Sequence, residues 1–319
     1  MTRLRRSLCL RMTVRTMRPE ELEACAALGG TDWLAEVVRG IWTDGHSSPD
    51  QSFVAEEQGR PVGRAFFHHV ADPKELAMFG NYTDPSVDFL ETGRALLGTA
   101  LARLKETGAI GVEHAIYDIY DPNPARQQEL IESVGFRQYQ EKKRYVWQDL
   151  GVEVEVRARL DYRTLACVGE STFTHAVERV TEATLDRQDL ARIEKSGIAE
   201  TACWYVRTLK ESDFEPADWL LAYLADGRLC GLVVPKRLDD KEGAIDYIGV
   251  VPELRGSGYG FDLLVKGTAL LQRKGFKTVV AETDSENRPF HAELERAGYR
   301  HHGTMRCFRC DLTHPVDGR

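Results

Sequence analysis

The stretch Val250-Val251-Pro252-Glu253-Leu254-Arg255-Gly256-Ser257-Gly258-Tyr259-Gly260 sets three glycines within five residues, directly after an arginine. It follows an apolar run, residues 245–251, that reads as a strand. It opens onto residues 261–274, where Leu263, Leu264, Thr268 and Leu271 mark one helical face. Glycines at such a turn let the backbone approach a ligand with no Cβ in the way and turn successive N–H groups inward. The positive end of the helix dipole then favours an anion, and Arg255 adds a cation beside it. The chemistry is the grip of a phosphate or diphosphate. Glycine also serves turn geometry alone in many folds, so the surroundings decide. A dinucleotide fingerprint needs G-x-G-x-x-G directly after the strand, and a P-loop needs Gly-Lys-Ser/Thr. Neither is present.

Downstream, Val279-Val280-Ala281-Glu282-Thr283-Asp284 reads as the next strand, and Asn287-Arg288-Pro289-Phe290 leads into a helix closing at Ala297-Gly298-Tyr299. The pattern Arg255-x-x-Gly258-x-Gly260, with Val-x-Pro upstream, resembles the acyl-CoA loop of the GNAT superfamily of N-acetyltransferases. The asparagine before a helix that ends in Gly-Tyr is similar to the second half of that family's CoA site. The resemblance spans residues 245–299 and implies acetyl-CoA, or another acyl-CoA, as cofactor. It implies that the strand before the loop splays from its neighbour, so that Gly249, Val250 and Val251 pair with the pantetheine arm. The amides of Leu254, Arg255, Gly256, Ser257, Gly258, Tyr259 and Gly260 would hold the diphosphate, with Asn287 and Phe290 completing the site. An amine then attacks the thioester directly in a ternary complex, and a carboxylate or an ordered water must take its proton.

Glu282 is the first candidate for that base, since some members of the family carry a glutamate there; the alternative is a strand-edge Glu facing solvent. Asp246 is the second. A carboxylate on so apolar a strand is costly to bury unpaired, and it can equally be the partner of a nearby Lys or Arg. Asp284 is the third. Many family members return a proton to the thiolate from a Tyr seven residues after the asparagine, but here that position is Leu294. Thiolate is a tolerable leaving group near neutral pH; water, Tyr247 or Tyr259 could serve instead, or both tyrosines could simply pack. Helices expected at 185–195 and 200–210 correspond to one wall of the family's acceptor site, which makes Glu194, Glu200, Trp204 and Tyr205 candidates to meet the amine. His291 and His301 are either proton shuttles or ordinary surface and edge histidines.

The elements that position these groups repeat. At an offset of 167, Pro252, Gly260, Leu263, Leu264, Leu271 and Gly275 fall on Pro85, Gly93, Leu96, Leu97, Leu104 and Gly108. At 168, Gly227 and Gly231 fall on Gly59 and Gly63, both in expected hairpins at 219–234 and 53–67; at 163, Gly298 falls on Gly135. The expected fold is α/β: two tandem GNAT-like domains, each a mixed, mostly antiparallel sheet with helices on both faces, residues 1–150 and 151–319. In the first copy Asp88 replaces Arg255 and Glu91 replaces Gly258. Two carboxylates where a diphosphate would sit repel it by on the order of 1 kcal/mol or more each. That copy is expected to have lost the cofactor, although Trp33, Trp42 and His46 could line another pocket or pack as core. Residues 162–179 give no clear pattern.

Composition fits two globular domains: 319 residues, 42% hydrophobic, 29% charged. A formal charge of −8 argues against a nucleic-acid partner and leans toward an amine substrate. No apolar run approaches the roughly 20 residues that span a bilayer. Residues 1–11 read as a disordered extension rather than a secretory signal. Seven scattered cysteines suit a reducing cytoplasm, and the lone Cys307-x-x-Cys310 lacks partners for a metal site. The sequence therefore predicts a cytoplasmic N-acetyltransferase acting on a small-molecule amine, monomer or homodimer, with its working site in the second copy. The two-copy plan is also similar to that of the mycothiol synthases, which acetylate a sugar-linked cysteine amine, though no local pattern names that substrate. The rivals are a non-catalytic acyl-CoA-binding or regulatory module and a two-domain transferase using charged tRNA.

Overall fold

The computed structural model describes residues 12–69, 72–211 and 215–313; the expected extension at 1–11 lies outside them. The described residues gather into two compact units, one drawn from 12–116, 121–139 and 307–313, the other from 117–120 and 140–306.

The first unit runs β1 (Met12–Thr16), α1 (Leu22–Ala26), α2 (Leu34–Thr43), β2 (Ser52–Glu57), β3 (Arg60–His69), β4 (Glu75–Thr83), α3 (Phe89–Glu106), β5 (Gly111–Tyr117), α4 (Pro124–Ser133) and the start of β6 (Arg137–Gln148). Strands β1 to β4 pair antiparallel in order and β4 pairs parallel with β5. Residues 307–311 of the last strand of the chain lie beyond β5. The period-two alternation of β2 sends Phe53 into the core under α3 and α4, with Leu96, Leu97 and Phe136, and Val54 into the core under α1 and α2, with Leu22, Leu34 and Val38.

The second unit contains residues 140–148 of β6, then β7 (Asp161–Thr164), α5 (Leu165–Val168), α6 (Glu170–Thr181), α7 (Arg187–Ser196), α8 (Ile198–Lys210), β8 (Leu220–Tyr223), β9 (Leu229–Arg237), β10 (Glu242–Val250), α9 (Tyr259–Arg273), β11 (Thr278–Asp284), α10 (Arg288–Arg296) and most of β12 (Arg300–Asp311). Its strand order is β12-β6-β11-β10-β9-β8-β7. The β10–β11 pair is parallel, and β6–β11, β9–β10, β8–β9 and β7–β8 are antiparallel. Helices α9 and α10 cover one face, over Ile245, Leu263, Leu264 and Leu294. Helices α6 and α8 cover the other, over Phe173, Val177, Val206 and Leu221. The patternless window 162–179 resolves into a four-residue strand, a one-turn helix and the start of α6, parted at Gly169, whose φ is +81°. Three short elements in one window hide the apolar stripe Phe173, Ala176, Val177 and Val180.

The repeat extends to strand register. In the first unit Glu75 pairs with Gly111 and Ala77 with Glu113; in the second Glu242 pairs with Thr278 and Ala244 with Val280, an offset of 167 on both strands. Units in space and copies in sequence divide the chain differently, since residues 140–148 of β6 pair with β11 in the second unit and residues 307–311 of β12 belong to the first.

Helix α6 packs directly on β10 at Gly249, where an added Cβ would lie 2.8 Å from Cβ of Val180. The neighbour is a β-branched carbon with no freedom to swing away. Gly249→Ala is therefore expected to destabilise the fold by about 1–3 kcal/mol, read as a lower denaturant midpoint; an unchanged midpoint would mean that α6 is free to lift off the strand.

Candidate functional site

The site begins where two parallel strands part. Pairing of β10 with β11 stops at Ile245 and Ala281, although β10 continues to Val250 and β11 to Asp284. The register of β10 against β9 shifts at the same point: Ile245 faces Pro235, Tyr247 faces Val234, and Asp246 is the extra residue of a bulge. Pro235 has no N–H to give to a ladder, which is why such residues collect at bulges, and a bulge adds twist. One edge of residues 246–250 is left with no strand partner among the described residues. A linear acyl-pantetheine chain can pair with such an edge.

Beyond Val250 the chain makes a short 3₁₀ turn, Pro252–Leu254, then passes Gly256 at φ +76° and Gly258 at φ +80° into α9. Gly258 is the N-cap residue and offers no side chain to the helix. The N–H groups of Gly256, Ser257, Gly258, Tyr259 and Gly260 donate to no protein acceptor among the described residues. The equivalent helix of the first unit differs. There the Asp88 carboxylate caps α3 by accepting from the Glu91 N–H at 2.8 Å. One copy satisfies its own helix terminus with an anion, and the other leaves the place open.

Arg255 does not stand beside that opening as a free cation. Its guanidinium donates to the carbonyls of Val250 (3.0 Å), Ala183 (2.7 Å), Val180 (3.0 Å) and Glu182 (2.7 Å). It thus ties the loop to the C-terminus of α6, where orphan carbonyls need donors, and burial lowers its pKa. The cation at the loop is Arg159. It donates to Asp262 Oδ2 at 2.8 Å and to the Ser257 carbonyl at 3.4 Å, and it lies 4.6 Å from the centre of the Tyr259 ring. Arg157 and Arg296 lie 5.1 and 4.0 Å from the centre of the Phe261 ring. None of these three was singled out from the sequence; the basic pair Arg157-x-Arg159 in an acidic chain was the available signal.

Both leading carboxylates are in ion pairs. Glu282, facing Arg144 in the β6 register, accepts from it at 3.0 Å, and the same guanidinium reaches Glu242 at 3.1 Å. Asp246 pairs with Lys236 at 2.8 Å. Asp284 is buried and accepts from Gln140, from the Arg187 N–H and from the Glu286 N–H, so it organises the entry to α7 and α10. Asn287 donates to Thr283 Oγ1 at 3.1 Å, and Phe290 packs against the core under α9. Leu294 is fully buried in that core. His291 is buried with Nε2 3.1 Å from the Asp284 carbonyl, and burial lowers its pKa; His301 is exposed at the edge of Tyr145.

The wall over β10 holds a polar cluster that the sequence reading only half identified. Tyr205 donates to buried Asp189, which also accepts from Thr184 at 3.1 Å. The Tyr205 ring lies 4.7 Å from that of Tyr247, whose hydroxyl meets Thr181 at 2.7 Å. Burial raises the pKa of both tyrosines and, with nearby Asp186, that of Asp189. Arg192 stacks on Trp204 at 3.6 Å. Glu194 and Glu200 face solvent. In the first unit, Trp33 is 65% exposed and Trp42 packs against the core under α2. A cavity of about 460 Å³ there is lined by Gln51, His69, Lys74 and Thr107, at the end of β4 remote from α3's first turn, and His46 does not line it. Cys307 and Cys310 are buried residues of the first unit.

Residues 186–299 match the model of the acetyltransferase (GNAT) family. The fold agrees over nearly the whole chain with a GCN5-related N-acetyltransferase from Sphaerobacter thermophilus (19% identity, 96% of this chain and 98% of that one, TM-score 0.66). It also agrees with a tandem GNAT protein from the clavulanic acid biosynthesis pathway (14%, 96% and 100%, TM-score 0.59). The chain carries the tandem GNAT fold, and its residues 186–299 are similar to the GNAT acetyltransferase family. Among named relatives, it is similar to mycothiol acetyltransferases of Arthrobacter sp. (strain FB24), 30% identical over 144 residues (44% of this chain, 39% of the relative), and of Clavibacter sepedonicus, 37% identical over 90 residues (28% and 29%). The chain thus spans well under half the length of these relatives.

The buried carboxyl gives a pH signature. A carboxyl whose folded pKa is raised contributes stability that is whole below the unfolded value of about 3.9 and is lost as pH rises through the folded value. Asn at position 189 accepts the Tyr205 hydrogen bond without the buried charge. Asp189→Asn should therefore gain in thermal midpoint relative to the natural chain as pH rises from about 4 to 7. A difference that does not change with pH would contradict the assignment.

Proposed function

We propose that this protein is an acetyl-CoA-dependent N-acetyltransferase whose working site lies in the second sequence copy, residues 151–319, and that the first copy, residues 1–150, does not bind the cofactor. The observation that carries the reading is the uncapped first turn of α9, reached from a strand edge with no strand partner among the described residues, in contrast to the equivalent helix α3, which caps itself. The open edge at Gly249, Val250 and Val251 pairs with pantetheine, and the amides from Gly256 to Gly260 take the diphosphate, assisted by Arg159. The thioester then lies in the gap between β10 and β11. A small-molecule amine attacks it directly in a ternary complex: the nitrogen–acyl bond forms, the carbon–sulfur bond breaks, and the amine proton leaves through Glu282 or a water that Glu282 holds. The thiolate regains a proton from water or Tyr247. Arg144 already occupies a Glu282 carboxylate oxygen at 3.0 Å, which favours the water route. Trp204, Tyr205 and Glu200 belong to the helices proposed as the acceptor wall.

The names of the relatives make the mycothiol acceptor, the sugar-linked cysteine amine suggested by the sequence resemblance, the first amine to assay. No described helix is long and apolar enough to cross a membrane; we place the protein in the cytoplasm as monomer or homodimer, without a nucleic-acid partner.

Two measurements test the reading. Thiol release from acetyl-CoA over a panel of amines should rise above hydrolysis for at least one acceptor, and Glu282→Gln should lower kcat by about 10²–10⁴ while leaving CoA affinity nearly unchanged. CoA binding with no amine-dependent release would instead make the protein a non-catalytic acyl-CoA-binding module. Gly258→Asp puts a carboxylate at the N-cap position of α9, where the diphosphate belongs, on a left-handed backbone (φ +80°) that cannot reproduce the extended Asp88 cap of α3. Repulsion on the order of 1–4 kcal/mol predicts at least about tenfold weaker CoA binding by calorimetry; undiminished affinity would remove the loop from the site.

A further inference from the structure

The segment before β7, residues 151–160, runs along α9 in the opposite direction and is fastened at both ends. Gln272, near the C-terminus of α9, donates to the Val152 carbonyl at 2.8 Å and accepts from the Val154 N–H at 2.9 Å. Arg159 pairs with Asp262 in the first turn of α9. The fastening delivers Arg157 to Phe261, the third residue of α9. Arg296, in the last turn of α10, reaches the same ring.

The charges there do not balance among themselves. Arg159 has Asp262, and Arg296 has Glu293 at 2.6 Å, whereas Arg157 makes no ion pair among the described residues. Three guanidinium groups and two carboxylates thus surround the first turn of a helix whose leading N–H groups also lack acceptors. Guanidinium groups gathered on one ring repel one another, which offsets part of their attraction to the ring. A dianion would turn that repulsion into attraction. Guanidinium forks suit phosphate, and stacking on Phe261 fixes their planes in advance.

We propose that Arg157 and Arg296, set on the Phe261 ring, form the binding site for the 3′-phosphate of coenzyme A and make the protein selective for CoA over its 3′-dephospho form. The inference rests on the acyl-CoA reading above. The 3′-phosphate hangs on the same ribose that carries the diphosphate, and Phe261 directly follows Gly260, the last residue of the diphosphate turn. The two phosphate sites are therefore neighbours in the ligand and in the chain.

The test is calorimetric titration of the full chain with CoA and with 3′-dephospho-CoA. The natural chain should bind CoA at least about tenfold more tightly, the worth of one charge-assisted phosphate contact. Arg157→Gln, which breaks no ion pair, should weaken CoA and leave dephospho-CoA unchanged; adding Arg296→Gln should bring the two ligands to equal affinity. Equal affinity of the natural chain for both ligands would overturn the proposal while leaving the acyl-CoA reading intact, and so would loss of both ligands to the same degree in Arg157→Gln. A natural chain that binds neither ligand would overturn the acyl-CoA reading and this proposal with it.

Discussion

The site depends on the failure of two parallel strands to stay paired. From Glu242 to Ile245, β10 follows β11 residue for residue; from Asp246 it does not. Proline at position 235 withholds a donor, the bulge at Asp246 absorbs the mismatch, and Lys236 holds the extra residue's carboxylate. Everything that follows is positioned by this break. The open backbone edge leads into the glycine turn, and the turn starts α9, whose first N–H groups donate to no acceptor among the described residues.

Comparison of the two copies separates what the fold requires from what a ligand requires. Both keep the parallel register at the offset of 167, and both begin a long helix after the first parallel strand. The first closes its helix terminus with Asp88, a stabilising cap generally worth about 1 kcal/mol. The second forgoes that stabilisation and sets two glycines at positive φ instead, a conformation that costs an ordinary residue about 1–2 kcal/mol. Folding alone would favour the first solution. Open amides, Arg159 at the turn and the surplus charge on Phe261 all lower the cost of placing an anion there.

Much of this was legible in the sequence because it rests on local rules. Gly256 and Gly258 mark the turn and the repeat places the helices and sets Asp88 in the first copy, although its use as a cap shows only in the fold. What was hidden is tertiary. Arg255 lies beside the glycines in sequence, but its two terminal nitrogens donate to carbonyls 72 to 75 residues away, at the end of a helix the pattern did not reveal. Glu282 and Asp246 were readable as charges on strands, whereas their partners Arg144 and Lys236 depend on strand register. The trade of β6 and β12 residues between units leaves no mark on composition, since each strand is long enough to serve two neighbours. Asp189 sits on a polar helix face whose partner, Tyr205 of α8, is brought to it only by the fold.

The central claim is that the backbone N–H groups of residues 256–260 take hold of a diphosphate. Hydrogen exchange of the full chain with and without CoA tests it at those amides. The account predicts slowed exchange across residues 256–261, with no change at residues 89–92, where α3 already caps itself. Unchanged exchange at the glycine turn while CoA is bound elsewhere would contradict it.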